Sequence, residues 1–156
     1  IVKTQRLEKI VLSAAKQSLK GSIPAIAETV SVKDFILKGS GSADSLKLIA
    51  CCFEDADHPR KSMKEVLEQW LGANFPSFAS VRPEAYEDGA VREGLKAGSH
   101  IPEIIVLVGP EGDFSSDELN LALEHGYVPV HLGPSRLRTE TAALLCVEIV
   151  YNSLML

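Results

Sequence analysis

No stretch of this chain approaches the roughly 20 consecutive apolar residues that a membrane-crossing helix needs, and the opening IVKTQRLEK is not a signal peptide. Neither GxxxxGK[ST] nor GxGxxG occurs, so the sequence supports neither a P-loop nucleotide triphosphatase nor a Rossmann dinucleotide enzyme. Ser115 is outside any nucleophile elbow, and no His-Asp pair goes with it. His58, His100, His125 and His131 share no metal-ligand spacing, so no metal site is expected. Three cysteines cannot form an even disulfide framework. Cys51 and Cys52 are adjacent in an apolar run, where successive side chains face opposite ways. These two and Cys146 are expected to be reduced, mostly buried thiols. Basic residues are also in short supply: 16 Lys and Arg against 21 Asp and Glu leave a net charge of -5. That balance excludes nucleic-acid binding by bulk electrostatics, because phosphate neutralisation needs a concentrated basic surface. Local patches are still open to it, at Arg136 and Arg138 or at Lys16 and Lys20. No internal repeat is present.

What the chain does have is enough length for one domain with a real core: 156 residues, 46% hydrophobic and 24% charged, close to the average for globular proteins. It begins with Ile, as expected of a fragment or processed form. From Arg6 to Ser18 the apolar residues Leu7, Ile10, Val11, Ala14 and Ala15 fall at helical spacing, with an end near Gly21. Val32 to Leu37 reads as a short helix, stopped by the Gly-Ser loop at Lys38 to Ser42. Leu46 to Phe53 is a nearly continuous apolar run of strand length, as expected of a strand covered on both faces. Its charged exit loop, Glu54 to Lys64, leads into a helix over Ser62 to Leu71. Gly72 to His100 is mixed, polar and rich in Gly and Pro, with some helix around Val91 to Lys96.

After Pro102 the pattern sharpens. Ile104 to Val108 reads as a buried strand, and Ser115-x-x-Glu118 is a capping box opening a helix that runs to about His125 and ends at Gly126. Val128 to Leu132 is a second short strand. Thr139 to Leu154 is a long apolar helix. Strands alternating with helices predict an α/β fold with a mainly parallel sheet flanked by helices.

In such a sheet ligands bind beyond the carboxyl ends of the strands. Two Gly-Pro loops are placed there, Gly109-Pro110-Glu111-Gly112-Asp113-Phe114-Ser115 and Leu132-Gly133-Pro134-Ser135-Arg136-Leu137-Arg138. Their backbone groups can pair with the edge of a flat heterocycle while Leu132 and Leu137 hold its faces. The first loop alone reads equally as a plain strand-to-helix turn. The second is harder to dismiss, because Arg136, Arg138 and Glu140 crowd the start of an apolar helix, where charged groups are usually paired or functional.

GPEGDFSSDEL at Gly109 to Leu119 and LGPSRLRTETAA at Leu132 to Ala143, preceded by KIVLSAAKQSLKGSIPAI at Lys9 to Ile26, resemble the three signature blocks of the RsmE family. These are small-subunit ribosomal RNA (uridine-N3)-methyltransferases of the SPOUT superfamily. The resemblance covers most of the chain. It implies a SPOUT-like domain over residues 1–156 with a C-terminal deep trefoil knot, a feature beyond the reach of periodicity. It also implies that the family's first strand and helix and its N-terminal PUA-like barrel are absent from this chain. Further implied are S-adenosylmethionine as cofactor, a homodimer, and small-subunit ribosomal RNA or the assembling subunit as partner. The location would be the cytoplasm, or a chloroplast or mitochondrion in a eukaryotic member. Carried over residue by residue, Val108, Gly109, Glu111 and Gly112 form one wall of the cofactor site, and Leu132, Gly133, Leu137, Arg138 and Thr141 the other. Arg138 is the candidate for stabilising the anion that develops on the uracil ring, and Glu140 for accepting its proton. The chain departs from the family pattern at Asp113, where a second glycine is usual, and at Ser135-Arg136, where Arg-Ile is usual. These departures keep a second reading alive, a knotted RNA-binding or assembly module without catalysis. A third reading is a SPOUT enzyme for another RNA.

Overall fold

The computed structural model describes residues 4–19, 23–39, 41–53, 58–76 and 102–155. The expected helix around Val91 to Lys96 and the end near Gly21 lie outside them. Four strands run parallel: β1 (Leu46–Ala50), β2 (Lys61–Ser62), β3 (Ile104–Val108) and β4 (Val128–His131). Their spatial order is β2-β4-β1-β3, so the crossovers change direction across β1. Among the described residues the helices are α1 (Thr4–Gln17), α2 (Val32–Leu37), α3 (Met63–Asn74), α4 (Ser116–Glu124) and α5 (Thr139–Met155).

Alternation along β1 divides the core in two. Leu46 and Leu48 turn to one face, with Val130, the α3 residues Met63, Leu67 and Leu71, and Cys146 of α5. Ile49 and Cys51 turn to the other, against Ile36 of α2, Leu119 and Ala122 of α4, and Tyr127. Helices therefore cover both faces, as the apolar run predicts. At about 25 cal/mol per Å² of apolar surface, each fully buried Leu or Ile in these clusters contributes roughly 1.5–3 kcal/mol.

The expected capping box forms. Ser115 Oγ accepts from the Glu118 N–H at 3.3 Å, and Glu118 Oε2 accepts from the Ser115 N–H at 2.9 Å. Gly126, at φ +81°, turns the chain out of α4, a conformation that side chains with Cβ resist. α2 is capped in the same way by Ser31, whose Oγ accepts from the Asp34 N–H at 3.0 Å.

Several boundaries differ from the sequence reading: α3 runs to Asn74, past the expected end at Leu71 and into the stretch read as a connection from Gly72, and β4 ends at His131 instead of Leu132. β1 stops at Ala50 instead of Phe53: after a last bond from the Cys51 N–H to the Val130 carbonyl at 3.3 Å, the Cys52 N–H turns to Asp113, and Phe53 is half exposed. The exit loop contains β2, two residues paired as Lys61↔Val130 and Ser62↔His131. β2 reaches β4 only from Val130 onward, past Pro129 with its missing N–H.

α1 and α5 leave apolar side chains uncovered. On α1, Leu7 and Ile10 are exposed and only Ala15 is buried. On α5, Leu144, Val147 and Tyr151 form a stripe on the side away from Cys146, with Leu144 73% and Val147 69% exposed. Among the described residues no helix is long and apolar enough to cross a membrane.

Candidate functional site

The parallel register brings Ala50, Val108 and Val130 side by side, so the chain leaves β1, β3 and β4 at one edge of the sheet. A cavity of about 540 Å³ opens at this edge. It is walled by the end of β1 (Ala50, Cys51, Cys52), the end of β4 (Val130, His131), the loop from Leu132 to Leu137, Ala142 of α5 and Arg60. That volume is within the range of about 300–1,000 Å³ usual for small-molecule sites.

The loop after β3, which leaves the sheet at the same edge, is held tightly. Gly109 is buried, and a Cβ there would come within 3.1 Å of the Phe114 ring and 3.2 Å of Asp113 Oδ1. Glycine thus suits Gly109 by packing inside the protein, since a Cβ would need the Phe114 ring and Asp113 to shift by a few tenths of an ångström. Gly112 instead faces open space. Asp113 has φ +68°, the left-handed region that glycine tolerates best and that Asp and Asn enter more readily than other residues. Its Oδ2 accepts from the Cys52 N–H at 2.7 Å and its Oδ1 from the Phe114 N–H at 2.9 Å. The carboxylate that departs from the family pattern therefore latches the β3 loop to the end of β1.

Two hydrogen bonds join the loops: the Thr139 hydroxyl donates to the Gly109 carbonyl at 3.1 Å, and Arg136 Nη2 donates to the Glu111 carbonyl at 3.4 Å. Gly133 has φ +139° with open space where its Cβ would be, so its constraint is backbone conformation and not crowding.

Of the residues singled out in the sequence, Leu132, Gly133 and Leu137 line the cavity. Val108, Gly109, Glu111 and Gly112 form the adjoining loop but are not among the lining residues. Arg138, Glu140 and Thr141 are exposed at the start of α5, also outside the lining, and the Arg138 carbonyl accepts from the Ala142 N–H at 2.8 Å. Arg136 lines the cavity where Arg138 does not. Sequence reasoning missed Arg60, whose Nη1 donates to the Cys51 carbonyl at 3.1 Å, as well as Ala142 and the strand ends themselves. The rule that ligands sit at strand carboxyl ends points to Cys51 and Cys52; no local pattern marks Arg60.

Burial, followed by the negative charge of Asp113, pushes the Cys51 thiol up to about 11, and burial alone does the same for Cys146. Both remain protonated near neutrality and are poor nucleophiles. Cys52, contrary to expectation, is exposed, because the turn toward Asp113 carries it out of the ladder.

A parallel α/β sheet with a ligand-sized cavity and glycine-bearing loops at its carboxyl edge defines a class of small-molecule-binding domain, and the family follows from the chain's matches. The chain belongs to the RNA methyltransferase domain family, whose model matches residues 1–151. Within that family it is RsmE-like: it is 28% identical over 153 residues to the ribosomal RNA small subunit methyltransferase E of Synechocystis, covering 98% of this chain and 39% of that protein. To the Aquifex aeolicus protein of the same name it is 26% identical over 150 residues, covering 96% of this chain and 48% of that one. The chain thus spans less than half the length of these curated relatives. The crystal structure of a probable rRNA-methyltransferase from Porphyromonas gingivalis superposes with a TM-score of 0.66 at 32% identity, over 99% of this chain and 51% of that one. The fold is also shared with the methyltransferase E of Neisseria gonorrhoeae bound to S-adenosyl methionine, at a TM-score of 0.60 and 21% identity over 97% of this chain and 46% of that one.

Proposed function

We propose that this chain is the cofactor-binding and methyl-transferring part of an S-adenosylmethionine-dependent methyltransferase acting on N3 of a uridine in small-subunit ribosomal RNA. The observation that carries the reading is the cavity formed by the Leu132 to Leu137 loop at the carboxyl edge of the sheet, since that loop lies within one of the blocks that resemble the family signature. The cavity fits the cofactor chemically: Ala50, Val130, Leu132, Leu137 and Ala142 offer apolar surface for an adenine ring, and the loop supplies backbone donors and acceptors for its edge. Leu132, Gly133 and Leu137 would hold it from one side; Val108, Gly109, Glu111 and Gly112 would support it through the adjoining loop, and Arg138 and Thr141 from the start of α5. When bound, S-adenosylmethionine supplies an activated methyl group.

The protein's task is then to orient the uracil and manage a proton. The imide N3 must lose its proton to become a good nucleophile, which a cation beside the ring and a proton acceptor favour. Arg138 and Glu140, two residues apart at the start of α5, are the candidates for these roles. Holding N3 in line with the methyl carbon accounts for a further part of the rate. In this reading α5 is threaded through the preceding loops as a trefoil knot. A second copy of the chain covers the stripe Leu144, Val147 and Tyr151, whose exposure is what a homodimer interface predicts.

Ser135 keeps the second reading in view, because it puts a hydroxyl on the cavity wall where the family has arginine. Calorimetric titration of S-adenosylmethionine and S-adenosylhomocysteine separates the two. Saturable binding that is lost in Gly133→Leu is expected, with a melting temperature lowered by the strain of a Cβ at φ +139° but the unfolding transition still cooperative. A folded protein that binds neither compound would favour a non-catalytic RNA module.

A further inference from the structure

The start of α5 carries the two candidates for managing the proton, Arg138 and Glu140, and its N-cap side chain cannot cap it. Arg138 holds that position, its carbonyl accepting from the Ala142 N–H at 2.8 Å, but a guanidinium has no acceptor to offer the free N–H groups of a first turn. Among the described residues the Arg138 and Glu140 side chains have no hydrogen-bond or ion-pair partner, so the backbone alone sets where they stand. Thr139 lies between them, one residue too late to be the N-cap. Its partly buried hydroxyl donates instead to the Gly109 carbonyl, 30 residues earlier in the chain, at 3.1 Å.

That acceptor is a fixed point. Gly109 follows directly on β3, whose last residue, Val108, is paired with Ala50 of β1. It is buried beside the Phe114 ring, and the loop beyond it is tied to the end of β1 by the bond from the Cys52 N–H to Asp113 Oδ2 at 2.7 Å. The other bond between the two loop segments, from Arg136 Nη2 to the Glu111 carbonyl, is exposed and long at 3.4 Å, so it is the weaker tie. On either side of Thr139, Leu137 and Ala142 line the cavity. The segment between them therefore runs along the cavity rim, pinned near its middle by one hydroxyl.

We propose that Thr139 is a positioning residue of this site: its bond to the Gly109 carbonyl fixes the first turn of α5 against the end of β3 and so holds Arg138 and Glu140 in place beside the reacting uracil. The proposal rests on the methyltransferase reading and deepens it. Thr139 acts through its two neighbours and not by contact with the reacting atoms. A misplacement of about 1 Å in such a site can lower a rate by about a hundredfold.

The test uses the whole chain and three readouts, all taken well below the melting temperature of each variant. These are turnover on small-subunit ribosomal RNA with methyl-labelled S-adenosylmethionine, cofactor affinity by calorimetry, and native-state hydrogen exchange. Thr139→Val keeps the shape of the side chain and removes the donor; kcat should fall about tenfold or more, with KM for RNA and Kd for the cofactor each within about twofold. The Ala142 N–H should exchange faster as the first turn of α5 frays. Thr139→Ser keeps the donor and should return kcat to within about threefold of wild type and slow the exchange again. The proposal is overturned if Thr139→Val leaves kcat or the exchange unchanged, or if the loss falls on KM or Kd instead of kcat. It is equally overturned if Thr139→Ser is as impaired as Thr139→Val, since the residue then serves packing alone. Failure of the methyltransferase reading looks different: the wild-type chain transfers no methyl group to RNA while the Ala142 exchange still responds to Thr139, and the catalytic use of the tether falls with it.

Discussion

Replacing Asp113 by glycine removes a carboxylate while leaving the backbone free to keep φ near +68°. Two bonds are lost, from the Cys52 N–H at 2.7 Å and the Phe114 N–H at 2.9 Å. A hydrogen bond to a charged group contributes about 1.5–3 kcal/mol net. Cys52 is exposed and Asp113 half-buried, so water replaces part of this, and the pair together is worth about 2 kcal/mol. Against that loss, glycine relieves the left-handed strain, about 1 kcal/mol at a residue with Cβ. Asp113→Gly should therefore cost about 1 kcal/mol, and Asp113→Ala, which loses the bonds and keeps the strain, about 2–3 kcal/mol. Equilibrium urea unfolding reads the difference as a change in midpoint at constant slope. For a domain of this size 1 kcal/mol corresponds to roughly 2–4 °C in Tm. An alanine variant as stable as the glycine variant would refute the left-handed strain. A glycine variant more stable than wild type by 1 kcal/mol or more would refute the latch.

The thiols give a second expectation. At pH 7.5 a native-state thiol reagent should modify Cys52 quickly, with Cys51 and Cys146 protected until unfolding. Because the buried thiols titrate near 11 in the folded state and near 9 when unfolded, their protonation supports the fold fully below pH 9. That support is lost as the pH rises toward 11, so Tm should fall more steeply over this window in wild type than in Cys51→Ala/Cys146→Ala. Among the described residues His131 Nδ1 is buried without a hydrogen-bond partner, and an orphaned lone pair is tolerated better than an orphaned N–H. Nitrogen-15 spectra should therefore show the tautomer with its proton on Nε2, and a tautomer with the proton on Nδ1 would contradict this. Finally, the proposed homodimer should sediment as such in analytical ultracentrifugation and Leu144→Glu/Val147→Glu on the exposed stripe of α5 as a monomer; an equal mass for both would remove the stripe from the interface.

Much of the scaffold was legible because its signals are local. The apolar runs of β1 and β3, the Ser115 and Glu118 box and the Gly126 stop each act within a few residues, and the structure reproduces them, except that β3, read as buried, is half-buried along its length because it lies at the end of the strand order. What escaped depends on distant partners. β2 is two residues long with no apolar pattern, and exists because β4 offers an edge to Lys61 and Ser62. β1 ends early because a carboxylate 61 residues away takes the Cys52 N–H. Half of the site was visible, since the Leu132 to Leu137 loop announces itself by composition and lines the cavity. Arg60 was not, because its role depends on the crossover that returns it to the strand ends. The close packing of Gly109 against Phe114 and Asp113 was likewise not legible, because it depends on how the loop folds back on itself.

The central claim is methyl transfer to N3 of a uridine. The most direct measurement incubates the protein with small-subunit ribosomal RNA, free or in assembling subunits, and methyl-labelled S-adenosylmethionine, then digests the RNA and identifies the labelled nucleoside by mass spectrometry. The account predicts label in 3-methyluridine, strongly reduced by Gly133→Leu. Label confined to another nucleoside, or none despite demonstrated cofactor and RNA binding, would contradict it.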